Sequence, residues 1–265
     1  MNFIAWHRIS ALLERHLLLQ FRDLYRIVDN FYWPLMDILL FGFTSIWLTK
    51  QSGGDERNVL IMLGGLFLWN ILMRTYMECG VNVLEEMWNQ NLLNLFTVPF
   101  TLYDWVAALG VLGFLRCILI TFTFACAFWI IFGIKITSFG LPLIIFIILQ
   151  MLAGWAFGLF CVAALFYWGQ KAQTLAWAGG WLLAPFSGAL YPIEVLPPWM
   201  QKISAFLPTS YTFKAFRTYM QNGMLDIQSI AISFVGNLIV MAFTFALCVS
   251  IFNKAKEYGL ERLQK

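Results

Sequence analysis

The chain has 265 residues, of which 61% are hydrophobic, 18% aromatic and only 12% charged, with a formal net charge of +3. Soluble domains carry about 25% charged residues, so this composition excludes a chain that faces water on every side. The positive excess is small and divided between the two ends, which gives a nucleic-acid partner no footing.

Residues 1–30 hold Arg8, Arg15, Arg22 and Arg26 and no continuous apolar core before Phe31, so a signal peptide is not expected. Ile4, Leu12, Leu19 and Ile27 stand among Arg, His and acidic residues, which predicts an amphipathic helix lying on the inner membrane surface. A helix needs roughly 20 apolar residues to cross the hydrocarbon core. Runs of that length fall at about 31–49, 58–79, 105–133, 139–167, 172–193 and 227–252. They are continuously apolar rather than alternating, so they read as helices and not barrel strands. The predicted fold is an all-α integral membrane protein with an interface helix at 1–30, six transmembrane helices within 31–252 and a tail at 253–265.

Lys and Arg orient such a bundle. Nine lie in the two tails and the link 168–171, against six in the opposite loops, so both termini are expected inside. Tyr32, Trp33, Trp47, Tyr103, Trp105, Tyr167 and Trp168 cluster at predicted span ends, as interfacial anchors do. Cys79, Cys117, Cys126, Cys161 and Cys248 lie in or beside apolar runs without a CxxC, and read as small packing residues.

Ionisable groups inside spans are expensive and mark sites worth testing. Arg74 and Glu78 are four apart on one helical face, either as a local ion pair or lining a cavity or a subunit contact. Asp37 and Arg116 are lone charges deeper in their spans, and either pair with each other or face a polar pathway. Among the twelve tryptophans, Trp69, Trp155, Trp177 and Trp181 are the candidates for a cavity wall. The connection 80–104 places Met87, Trp88, Leu92, Leu95 and Phe96 at helical spacing from Glu85, and Pro99 closes it. It holds Glu85, Glu86 and Asp104 but neither Lys nor Arg, which suits docking into a groove on another protein better than lying on anionic lipid. On the other side, the apolar stretch from Ile203 to Phe213 is too short to cross and is broken by Pro208, so a re-entrant or interfacial hairpin is expected.

No P-loop GxxxxGK[ST] occurs, and Gly-Lys never does. His7 and His16, nine apart, do not share a helical face as a zinc pair would, and neither HExxH nor GxSxG is present. No metal site or catalytic residue is nominated.

This arrangement resembles the membrane subunit of ABC-2-type ATP-binding-cassette transporters, mostly exporters, over essentially the whole chain. The segment 185–217 is similar to the family pattern through Ser187-Gly188, Tyr191-Pro192, Leu196-Pro197-Pro198-Trp199, Pro208 and Arg217. Glu85 to Pro99 is similar to the family's cytoplasmic helix, but Trp88 and Asn91 stand where many members have an Arg-Gly-Thr run, and the Lys-Phe-Pro-like motif of the polysaccharide branch is missing.

The resemblance implies a half-transporter in the inner or plasma membrane. Two copies would enclose the pathway, and two copies of a separate ATPase would supply ATP and Mg, with no cofactor in this chain. It assigns ATPase coupling to Glu85, Glu86, Trp88, Asn91, Leu92, Leu95 and Phe96, and an outer gate to Tyr191, Pro192, Pro197, Trp199 and Pro208. The substrate classes it leaves open are lipids, glycolipids or polysaccharides, and hydrophobic drugs. A secondary transporter or channel would show paired broken helices in both halves. Only one such region, near 185–208, occurs. A lipid-modifying enzyme would need His, Asp or Arg clustered at one membrane face, which the sequence lacks.

Overall fold

A computed structural model describes residues 6–22, 24–51, 53, 56–91 and 101–263. Its elements are α1 (Trp6–Arg22), α2 (Leu24–Gln51), α3 (Glu56–Trp88), α4 (Leu102–Phe132), α5 (Leu143–Trp168), α6 (Gln173–Ala178), α7 (Ala184–Ser187), α8 (Pro198–Phe206), α9 (Pro208–Asn222) and α10 (Ile227–Leu263). Short 3-10 turns lie at 136–139, 169–172, 180–183 and 193–195. Among the described residues, five stretches are long and apolar enough to cross a membrane: Asn30–Gln51, Arg57–Trp88, Leu102–Phe132, Leu143–Ala178 and Ile227–Lys254. The chain is an all-α, multi-pass membrane protein.

Helix α3 is the mast of the bundle. In its most apolar window 83% of residues are buried, against 22% in α2 and in α10. The reason is small residues on facing surfaces, which let two backbones approach where lipid supplies no hydrophobic drive between helices. A Cβ at Gly154 of α5 would lie 2.7 Å from Leu72 O and from Thr75 Cβ of α3. Further along the same crossing Cys79 of α3 fills the space over Gly158, and the roles are exchanged where Cys161 of α5 fills the space over Gly80. Around this seam one core gathers Phe67, Phe124, Phe128, Phe139, Phe146 and Phe216, and a second gathers Leu84, Trp105, Leu165 and Phe252. Helix α10 joins α5 and α9 through polar contacts: Asn237 Nδ2 donates to Leu149 O at 3.3 Å, and the hydroxyls of Thr212 and Ser233 meet at 2.6 Å.

The structure departs from the expected elements in three places. Of the expected interface helix 1–30, Trp6–Arg22 form α1, whereas residues 24–30 belong to α2, which continues into the first span. Ile9 and Leu12 of α1 are buried against Leu102 and Trp105 of the second core, so this face packs on protein. Ile4 and the side chains of Leu19 and Ile27 lie outside the described residues.

The second departure is the expected span 172–193, which is not one continuous helix. Gly169, at a φ of 63°, ends α5, and Gly179, Gly180, Pro185 and Gly188 divide the next stretch of chain into α6, a 3-10 turn and α7. The glycines let this string lie directly against α3: Gly179 meets the Tyr76 hydroxyl, and a Cβ at Gly180 would be 2.5 Å from Met73 Sδ. Regular hydrogen bonding is given up for close approach, which is tolerated at membrane depth where protein covers the backbone.

The third is the connection after the second span. Residues 85–88 are the last turn of α3, not the first turn of a separate helix. The Asn91 amide donates to Glu86 O at 2.9 Å and the Gln90 amide to Met87 O at 3.1 Å, with Gln90 at a φ of 54°. These two bonds and the left-handed residue are the Schellman stop of a helix. Leu92, Leu95, Phe96 and Pro99 lie outside the described residues.

Candidate functional site: a tryptophan-lined groove with charged pairs below it

Trp33 and Asp37 are four apart on α2, and Trp69, Met73 and Met77, like Asn70 and Arg74, are four apart on α3. Residues four apart share a helical face. Across from them, Trp177 on α6 and Trp181 on the following 3-10 turn repeat the same step. Together these nine residues line a cavity of about 380 Å3. A second cavity of about 290 Å3 shares Asp37, Trp69 and Trp181 with it and continues past Phe41, Pro185 and Leu190 to Tyr191. The two form one groove between α2, α3 and the string of short helices.

The groove is apolar except at mid-length. Asn70 Nδ2 donates to Asp37 Oδ2 at 3.2 Å and shares that amide with Leu66 O. Arg74 lies one turn further along α3 and lines the same cavity as Asp37. Trp69 and Trp181 hold their rings 6.0 Å apart, tilted by 58°. Trp88, at the end of α3, stacks on Trp177 at 6.4 Å and 21°, which extends the aromatic wall beyond the groove. Trp33, Trp177 and Trp181 expose 55%, 42% and 50% of their surface.

Trp69, Trp177 and Trp181 stand in the wall as their sequence positions suggested, whereas Trp155 packs between helices over Gly113, 2.8 Å from where its Cβ would be. Trp33, expected only as an interfacial anchor, and Asn70 are groove residues that sequence reasoning passed over. The signal was there in the four-residue steps Trp33–Asp37 and Asn70–Arg74.

Asp37 and Arg116 do not pair. Arg116 Nε lies 2.7 Å from Glu78 Oε2, and its Nη1 donates to Asn30 Oδ1. Glu78 also accepts from Asn82 Nδ2 at 2.9 Å. The cause is depth: Asp37 is level with Asn70, and Glu78 is eight residues further along α3, about 12 Å at the helical rise. The charges therefore sort into a mid-groove set on α2 and α3 and a deeper set that ties α2, α3 and α4 together.

At the end of the bundle that carries α1, two further acids are buried. Glu86 is 3% exposed, lies 2.9 Å from Arg15 Nη1, and accepts from Asn91 Nδ2 at 2.7 Å. Asp104 is 0% exposed, caps α4 through a reciprocal pair with Thr101, and lies 3.5 Å from Arg8 Nη1. Arg8 and Arg15, two turns apart on one face of α1, thus reach the two residues that flank the connection 89–101. Of the residues expected to meet an ATPase, Glu86 is turned inward, Glu85 is half-buried, Asn91 is bound to Glu86, and Trp88 is 47% exposed.

At the opposite end, Leu207 breaks the chain between α8 and α9, and Pro208 starts α9 against Gly236. Pro192 and Pro197 hold extended backbone before the 3-10 turn and before α8, and Trp199 is 60% exposed. Tyr191 Oη donates to Pro185 O at 3.0 Å. Arg217 Nη2 donates to Gly188 O at 2.8 Å, across to the turn where Gly188 takes a φ of 71°. This bond fastens α9 to the Tyr191 end of the groove.

A family model described as "ABC-2 type transporter" matches residues 7–221. No curated protein matches the chain.

Proposed function

The chain belongs to the ABC-2 type transporter family, and on that premise we propose that it is the permease half of an exporter, working as a homodimer with two copies of a separate ATPase. The groove from Trp177 to Tyr191 is the observation that carries this reading, because it follows the middle of α3 from Met77 to Leu66, between α2 and the string of short helices. A second copy facing it would complete a pathway. In this reading the membrane is the inner or plasma membrane, the string 169–195 makes a fifth crossing and α10 the sixth, and both termini are cytoplasmic.

This chain hydrolyses no ATP itself, since its sequence offers no phosphate-cradling loop. ATP and Mg are held by the partner. Closure of the ATPase pair pushes on the 89–101 connection, and the Arg8 and Arg15 contacts carry α1 along with it. Helix α3 and the string packed on it then tilt as a unit, and the groove opens past the Arg217–Gly188 contact. That is alternating access through a two-state element. Lipids, glycolipids or polysaccharides, and hydrophobic drugs are the substrate classes compatible with an aromatic pathway.

Co-purification with candidate ABC ATPase subunits tests the assignment. The expected complex holds two copies of each chain, and Trp88→Arg with Leu92→Arg dissociates it. Transport in vesicles that hold this chain and no ATPase would identify a secondary transporter or channel instead.

A further inference from the structure

We propose that the bundle is two rigid units that slip past one another by one step along a row of polar residues on α3, and that Arg116 marks the step by passing from Glu78 to Asn82. The inference rests on the export reading and names the moving parts of that mechanism.

Asn70, Arg74, Glu78, Asn82 and Glu86 follow one another at four-residue spacing along α3, and each is 9% exposed or less. Successive members are neighbours on the helix surface, so they form one ridge that winds from the mid-groove to the end bearing α1. Buried polar groups need partners, and three of these partners come from one side of the molecule. Asn70 donates to Asp37 of α2, Arg116 of α4 lies on Glu78, and Arg15 of α1 holds both carboxylate oxygens of Glu86, at 2.9 and 3.0 Å.

Those three helices are also tied to each other. Arg8 of α1 reaches Asp104 of α4, Arg116 of α4 donates to Asn30 of α2, and Phe43 of α2 meets Phe132 of α4 at 5.5 Å. Helix α3 is tied elsewhere. The small-residue seam joins it to α5, Tyr76 Oη donates to Leu175 O on the string, and Arg57 Nη1 donates to Gln221 O on α9 at 2.9 Å. Helix α10 follows through its bonds to α5 and α9. One unit is therefore α1, α2 and α4, and the other is α3, α5, the string, α9 and α10.

A small-residue seam fixes two backbones in one register, because a close-packed interface has no second arrangement nearby. The polar row is different. Each rung presents a polar group about 6 Å from the next, and other contacts across the boundary, such as Phe67–Phe124 and Trp105–Phe166, are apolar and undirected. The row also gives the step a direction. One rung toward the start of α3, Arg116 would meet Arg74, which repels it, and Asp37 would meet Leu66, which offers no hydrogen bond. One rung toward the α1 end, Arg116 meets the accepting amide oxygen of Asn82, and Asp37 meets Arg74. The first unit therefore slips toward the α1 end, exchanging partners across one helical turn.

The test puts nitroxides on p-acetylphenylalanine at exposed positions of the full chain in nanodiscs and reads distances by double electron–electron resonance. Labelled chain is diluted into unlabelled chain, so that each distance lies within one copy. Ser10–Lys50 lies inside the first unit, Asn222–Lys254 inside the second, and Ser10–Asn222 joins the two. In the complex with a co-purified ATPase, ATP with orthovanadate should lengthen Ser10–Asn222 by about 6 Å and leave the other two unchanged. An unchanged Ser10–Asn222 distance, or an equal change inside either unit, would overturn the proposal. Asn82→Leu takes away the receiving rung, so the lengthening should vanish while the ATPase stays bound, and its persistence would also refute the step. Glu78→Gln with Asn82→Asp moves the carboxylate one rung at constant volume, and should give the longer distance in the chain alone. The parent distance in that variant would refute the step as well. If no ATPase co-purifies, the exporter reading fails and the chain-alone variant still decides this one. A complex whose Ser10–Asn222 distance stays fixed sinks only the step.

Discussion

Arg116 shows how a single side chain organises the deeper end of the bundle. Its guanidinium satisfies Glu78 and Asn30 at once, so α2, α3 and α4 share one ionic knot. Removing one partner of a buried pair leaves the other desolvated. Arg116→Ala should therefore lower stability by about 3 kcal/mol, measured as the thermal unfolding of the detergent-solubilised protein, and Arg116→Ala with Glu78→Gln should recover much of it. Arg15→Ala should cost less, about 1–2 kcal/mol, because Arg15 is about one-third exposed while Glu86 is not. A pH effect belongs to Asp226, which accepts from the hydroxyl and amide of Ser229 at the start of α10, and is held below its ordinary value of 3.8. A lowered carboxylate contributes stability in full above its unfolded-state value and loses it as pH falls through the lowered one. Unfolding midpoints followed below that value should fall in the parent and flatten in Asp226→Asn.

Elements in this protein are shaped by what they touch more than by their own pattern. The α3–α5 crossing exists because Gly154 and Gly158 admit α3 backbone and Cys79. Gly154→Val should cost about 2–3 kcal/mol through overpacking, whereas Gly110→Ala, on α4 with nothing within 4 Å of its added Cβ, should be neutral or stabilise by about 0.5–1 kcal/mol. Differential scanning fluorimetry of the two variants separates them. Five long spans were legible because apolar run length answers directly to bilayer thickness, and the break at Pro208 because proline has no amide to donate to the preceding turn. The region 172–193 has the same apolar length, and its glycines were visible. Their effect was not, since a glycine in an apolar run breaks a helix only where a neighbour such as Tyr76 or Met73 rewards close approach. The stop of α3 at Gln90 was hidden for a related reason: no glycine marks it, and the left-handed residue is held by two backbone bonds.

At the scale of the whole molecule, the groove is open along one side of a 30.6 kDa chain. If a second copy completes it, light scattering in mild detergent should return twice that protein mass, and a reading of one copy would remove the homodimer from the mechanism. Composition by itself determined that this chain lives in a membrane, because so few charges cannot cover a water-facing surface. Three of the four tryptophans named from the sequence, Trp69, Trp177 and Trp181 but not Trp155, stand in the aromatic wall, and the match over residues 7–221 agrees with the family that the proline-bearing segment pointed to. Only the tertiary structure decided which charges meet. Asp37 and Arg116 are equally lone in the sequence, and their partners depend on the depth at which antiparallel helices place them. It also placed Glu86 in a buried contact with Arg15, which no sequence spacing announced. A run of apolar residues carries its own relation to lipid, whereas a charge finds its partner only in the packed bundle.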